Sequence, residues 1–204
     1  MKKIKIFKVV LLVICLALSM MLITSCNDEK KSDGKGSLDK FSEAIAATNP
    51  SEVDGTITMT ADFGTMVMEY NAEIDESGSF VLNYSYDKYN DIENGGSSDV
   101  TTKVTGTISY ADGAYTGDTN VAKIPANVVA AKIDVKSDKL DVKVSGDGKL
   151  LTATVKAADT KTVFGVAYGS DVTISMTRQN AEVTSLTLTY TYEGASVAVL
   201  CNYQ

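Results

Sequence analysis

Histidine is absent from this 204-residue chain, cysteine occurs three times, and acidic residues number 26. Those counts bound the chemistry. Without imidazole there is no Ser-His or Cys-His nucleophile pair and no ordinary general base near neutral pH. So few cysteines and no histidine leave a structural zinc site without its ligands. No Gly-rich loop runs into Lys-Ser/Thr, and no G-x-S-x-G elbow is present. The carboxylates are plentiful but dispersed. Asp87, Asp91 and Glu93 lie near one loop; Asp112, Asp118, Asp134, Asp138, Asp141 and Asp147 sit mainly in or beside turns. Two of them could form a glycosidase pair or a weak calcium site. No ordered D-x-D-x-D-G run supports this, and aspartate in a turn bonds nearby backbone N–H groups. The expectation is a protein that is not an enzyme, with no cofactor and no metal.

One thiol has a context of its own. Cys26 ends the run Ile23-Thr24-Ser25-Cys26, behind an apolar stretch from Val9 to Ile23 and a basic start of Lys2, Lys3, Lys5 and Lys8. A secretory signal peptide has this layout, and the apolar run is shorter than the roughly 20 residues of a spanning helix. The cysteine after small residues makes it resemble the lipobox of bacterial lipoproteins. That resemblance implies diacylglycerol on the Cys26 sulfur, cleavage before Cys26 and often acylation of the new amino group. It implies a bacterial cell membrane location, lipid-anchored and facing the extracytoplasmic side. Residues 1–25 are then the signal peptide. Residues 26–37, rich in charge, Gly and Ser, form a flexible tether. Residues 38–204 form a single β-rich domain.

Loss of the signal takes Cys15 with it. Cys201 is left alone, so no disulfide forms within the mature domain. Alternating with Val197, Val199 and Tyr203, it reads as a buried small hydrophobe. Removing four lysines leaves 15 basic against 26 acidic residues, a balance of about −11. Such a surface repels phosphate backbones, so nucleic acid is not an expected partner. It also repels anionic headgroups.

The elements that follow are mostly strands. Leu38, Phe41, Ala44, Ile45 and Thr48 have helical spacing, with Ser37 as a cap and Asn49-Pro50 as a stop. From Thr56 the period becomes two. Ile57, Met59 and Ala61 alternate with threonines. Met66 to Asp75 and Phe80 to Asp87 form a hairpin across Ser77-Gly78. Val100–Tyr110 and Ala114–Thr116 flank Asp112-Gly113, and Tyr89–Asp99 is a loop. A short helical turn or loop follows Pro125. Ile133–Lys136, Leu140–Val144 and Leu150–Val155 alternate again, then Ala157–Val163 is a short helix or crossover. Asp171–Thr177, Glu182–Tyr192 and Ala195–Tyr203 close the chain. The fold class is α+β: a long, curved antiparallel sheet, a half-barrel, wrapped around the N-terminal helix. A β-barrel or β-sandwich is the alternative.

One face of those strands carries Met59, Met66, Met68, Tyr70, Phe80, Leu82, Tyr84, Tyr86, Ile174, Met176, Leu186, Leu188, Tyr190 and Tyr192. Methionine repacks easily and tyrosine has a polar tip, which suits an adaptable apolar cavity. Ordinary core filling is the competing reading. The threonines of the other face, such as Thr187 and Thr189, read as a solvated surface.

The order of elements carries a second resemblance. A lipid-anchored tether leads to SLDKFSEAIAATNP, long antiparallel strands follow, then AADTKTVFGVAYGS, then the three strands of DVTISMTRQNAEVTSLTLTYTYEGASVAVLCNYQ. This looks like the half-barrel lipoproteins related to the LolA/LolB carriers and the mycobacterial LppX/LprG group. The resemblance implies a curved sheet around helices that holds acyl chains of lipids or lipoproteins. The expected partners are the membrane, through the lipid on Cys26, and a lipid or other apolar ligand. The alternative is an envelope interaction or structural lipoprotein that contacts a protein through a sheet edge or loops.

Overall fold

A computed structural model describes residues 34–62, 64–89, 100–117 and 124–204. Ten strands form one antiparallel sheet: β1 (Glu52–Ala61), β2 (Gly64–Ile74), β3 (Phe80–Tyr89), β4 (Val100–Ala111), β5 (Ala114–Gly117), β6 (Leu140–Val144), β7 (Leu150–Val155), β8 (Val172–Gln179), β9 (Glu182–Tyr192) and β10 (Ala195–Tyr203). Their order is β5-β4-β3-β2-β1-β10-β9-β8-β7-β6. The sheet is open, with β5 and β6 at its edges. Among the described residues no second sheet faces it, so the barrel and sandwich alternatives do not hold. The order amounts to two five-stranded meanders joined through β1 and β10, where Ile57 pairs with Val199.

Tight turns set the register. Asp112-Gly113 and Glu193-Gly194 both have positive φ, at 52° and 80° and at 49° and 84°. Two consecutive left-handed residues match the right-handed twist of the flanking strands. The β2–β3 and β6–β7 turns are held differently. Asp75 Oδ1 accepts from the backbone of Ser77 and Ser79 at 2.8 and 3.0 Å. Asp147 Oδ1 accepts from Lys149 N at 3.1 Å and from the Ser145 hydroxyl at 2.6 Å. Asp134 likewise accepts from Lys136 N at 3.0 Å. Asp134 and Asp147 are thus the backbone-bonding turn aspartates expected from sequence.

Helix α1 runs Gly34–Ala47. Ser37 lies inside it rather than capping it, because no proline or β-branched residue bars the extra turn. Phe41, Ala44 and Ile45 are buried and Leu38 packs beside them. The helix lies against β9 and β6. Thr48 fastens its end: the hydroxyl donates to Ala44 O at 2.8 Å and accepts from Val183 N at 2.8 Å. Pro50 then forbids continuation.

The segment between β5 and β6 is irregular. Helix α2 is only Ala126–Val129, and Ala131, at φ 52°, turns the chain away from it. The strand expected at Ile133–Lys136 does not form. Ile133 and Val135 are buried on alternation, but their backbone joins no ladder. The Asp134–Ser137 turn bends the chain instead, with Ser137 N bonded to Asp134 O at 3.2 Å. A 3-10 turn (Ala157–Asp159) and helix α3 (Thr160–Phe164) follow β7 and end at Gly165, φ 72°. No helix among the described residues is long and apolar enough to cross a membrane.

Candidate functional site

Alternation puts one set of side chains on the inner face of the sheet, toward α1. Of the residues singled out from sequence, Met68, Tyr70, Phe80, Leu82, Tyr84, Met176, Leu186, Leu188 and Tyr190 join one buried cluster, with Ile174 beside them. Met59 and Tyr86 pack against it, partly buried. Met66 is half-buried and outside the cluster. Tyr192 is 53 % exposed, because it sits at the strand end beside the Glu193-Gly194 turn, beyond the covering elements. Cys26 lies outside the described residues.

The cluster contains residues that the sequence pattern did not single out. Val53 belongs to β1, which begins at Glu52, four residues ahead of its expected start. Ile124, Val128, Val129, Ile133 and Val135 come from the irregular segment, which thereby packs into the same core. Polar side chains tie that segment down. The Tyr115 hydroxyl donates to Ile124 O. Tyr203 donates to Val128 O at 2.5 Å, and Lys132 Nζ to Thr48 O at 3.0 Å. Asn127 Nδ2 donates to Val163 O at 2.7 Å.

The inner face differs along its width. On the β2–β5 side, Phe80 and Tyr110 stack at 5.2 Å between ring centres, Tyr115 lies 4.8 Å from Tyr110, and Tyr84 stacks with Tyr86 at 6.4 Å. The β6–β10 side is more aliphatic: Leu151, Val155, Ile174, Leu188, Val197 and Val199 are at most 1 % exposed. Met176 and Tyr190 are buried there too, and the Tyr190 ring centre lies 4.4 Å from that of Tyr168. Two inward tyrosines each cover a glycine across the strand pair. Tyr70 pairs with Gly55 and Tyr84 with Gly106. A Cβ on Gly55 would stand 2.0 Å from Leu200 O and 2.3 Å from the Tyr70 hydroxyl; one on Gly106 would stand 2.2 Å from the Tyr84 hydroxyl. An isolated strand glycine marks such a close approach.

Where the two meanders meet, polar groups are buried together. The Tyr70 hydroxyl donates to Leu200 O at 2.7 Å and lies 3.0 Å from Cys201 Sγ. Burial holds the Tyr70 and Tyr203 hydroxyls well above their ordinary pKa. It pushes the Cys201 thiol up to about 12, against the lowering pull of hydrogen bonds from Tyr70 and Tyr203. Cys201 is fully buried and protonated at neutral pH, the state of a packing residue. The inner face therefore offers apolar contact and a few hydroxyl tips. Among the described residues no three Asp, Glu, Cys or His side chains lie close enough to hold a metal ion.

No family model and no curated protein matches the chain. Solved structures do. The LprF protein of Mycobacterium bovis aligns over 82% of this chain and 92% of its own at 10% identity, with a TM-score of 0.44. A DUF1329 family protein from Desulfovibrio piger aligns over 85% and 94% at 9% identity and TM-score 0.30. MucB, solved in complex with the periplasmic part of MucA, aligns over 83% and 93% at 9% identity and TM-score 0.29. The fold itself stands on the strand order and register of the open, ten-stranded antiparallel sheet.

Proposed function

We propose that this chain is an extracytoplasmic lipoprotein, held to the membrane through Cys26, that binds an apolar ligand such as an acyl chain and performs no catalysis. In this reading the open sheet is a half-barrel curved around α1, and the ligand lies against β2–β4. The observation that carries it is the division of the inner face. Helix α1 lies against β9 and β6, over the aliphatic side. Met68, Tyr70, Tyr84 and Tyr86 lie on the other side, away from that contact. Methionine and tyrosine can repack around a variable apolar guest at small cost, whereas close-packed Val, Leu and Ile cannot. Two acyl chains on the terminal cysteine suffice for stable anchoring, so the acidic surface need not touch the bilayer.

Native mass spectrometry of the full chain, released from phospholipid vesicles, tests this reading. The expected result is a non-covalent lipid adduct on the folded protein, in addition to the covalent anchor. A folded chain that carries only its own anchor, whichever phospholipid or fatty acid is offered, overturns it.

A further inference from the structure

The opposite face of β2–β4 holds an open trough of about 550 Å³, within the range of small-molecule sites, roughly 300–1,000 Å³. Two rows of polar side chains wall it. Glu69, Ser85 and Thr105 stand in register across the three strands, and so do Asn71, Asn83 and Thr107. Between the rows the side chains of Tyr70 and Tyr84 turn inward and Gly106 has none. The floor is therefore backbone. The rows are two residues apart along the strands and span three strands, a frame of about 7 Å by 10 Å.

Two of the amides are oriented by the protein. Asn71 Nδ2 donates to Glu52 Oε1 at 2.6 Å and to Asp54 Oδ1 at 2.9 Å. That leaves its carbonyl oxygen as the unused atom. Asn83 Oδ1 accepts from the Thr107 hydroxyl at 2.9 Å, which leaves both protons of its Nδ2. The two residues are direct cross-strand partners, with Cβ atoms about 5 Å apart, so an oriented acceptor and an oriented donor stand side by side. Ser85 and Thr105 add hydroxyls that both donate and accept.

We propose that this trough binds a neutral sugar, with Asn83 Nδ2 donating to one ring hydroxyl and Asn71 Oδ1 accepting from its neighbour. Adjacent hydroxyls each donate and accept, and match this pairing. The lining has no lysine or arginine and one carboxylate, Glu69. Glu52 and Asp54 stand behind Asn71 on β1. Acidic sugars and phosphates are disfavoured for that reason. Among the described residues lining the trough, the only aromatic ones, Tyr70 and Tyr84, turn their rings to the inner face, so recognition rests on hydrogen bonds. This inference is independent of the inner-face reading and survives its failure.

Saturation-transfer NMR on the full chain in phospholipid nanodiscs, free of glycoside detergents, tests it. The probes are methyl glucoside, methyl mannoside, N-acetylglucosamine and sodium glucuronate. At least one neutral sugar is expected to receive saturation and glucuronate to receive little. Asn83→Ala, at an exposed position, should weaken the neutral sugar about ten-fold while leaving the circular-dichroism spectrum unchanged. Glu69→Gln should admit glucuronate. Absence of transfer to every neutral sugar overturns the proposal. So does transfer that Asn83→Ala leaves intact, or wild-type binding of glucuronate equal to that of the neutral sugars.

Discussion

The two meanders remove an apolar face from water with different side chains. The β6–β10 meander uses Leu151, Val155, Ile174, Leu188, Val197 and Val199, nearly all fully buried, with the Phe41 and Ile45 side of α1 laid over β6 and β9. The β1–β5 meander uses Met68, Tyr70, Phe80, Tyr84, Tyr110 and Tyr115, and it makes room for two of its rings by omitting side chains at Gly55 and Gly106. The first is mainly close packing of stiff aliphatics, with Met176 and Tyr190 as its exceptions. The second relies on rings and flexible thioethers, which shift rather than leave voids. Under the proposed function, the first half supplies stability and the second accommodates the ligand.

That contrast can be broken in order of expected effect. Phe41→Ala removes a fully buried ring from under the helix and should cost about 3–5 kcal/mol in equilibrium urea unfolding. A loss under 1.5 kcal/mol would mean that the helix does not hold the aliphatic half. Gly55→Ala should cost about 3 kcal/mol, since its Cβ meets the Leu200 carbonyl at 2.0 Å and backbone cannot step aside. Gly106→Ala meets only the end of the Tyr84 side chain and should cost about half as much by the same assay. Equal costs would show that the Tyr84 ring gives way no more readily than the Leu200 backbone. Tyr70→Phe removes the bond to Leu200 O at the junction of the meanders and should cost about 1 kcal/mol. Met68→Leu, in the accommodating half, should stay below about 1 kcal/mol.

The smallest effect should be the same in both halves. Asp75 and Asp147 each have a pKa held below the ordinary value, chiefly by a serine hydroxyl, Ser77 and Ser145 respectively. A depressed carboxylate contributes stability that is fully present above its unfolded pKa, about 3.9, and is lost as pH falls through the folded value. Melting temperatures measured from pH 6 down to pH 2 should therefore drop less in Asp75→Asn and Asp147→Asn than in the parent. A difference between the two variants would show that one turn matters more than the other.

Much of the fold was legible from period and turn chemistry. The strands Val172–Gln179, Glu182–Tyr192 and Ala195–Tyr203 lie where alternation puts them, because each has a clean apolar face and a turn residue at its end. Ile133–Lys136, expected as a strand, shows the limit of that signal. Two buried residues at i and i+2 look like a strand, yet alternation reports burial and not hydrogen bonding. The pairing of β1 with β10 has no local signal at all. Gly106 carries one, as a lone glycine inside an expected strand, and marks where Tyr84 lies, whereas Gly55 stands just ahead of the strand expected from Thr56. The outer trough was hidden by its composition. Ser, Thr and Asn on a wet face look alike until register places Asn71 beside Asn83.

The strand order has a consequence for how the molecule is made. β1 and β10, the first and last strands, pair at the middle of the sheet. Every other ladder joins strands consecutive in sequence. During synthesis the first meander can assemble early from local hairpins. Its β1 edge, with Ile57 at its centre, must then wait unpaired until β10 has emerged. The seam that ends up most protected is the last to be sewn. A chain halted before β10 leaves two half-sheets with bare facing edges, each a template for the wrong neighbour.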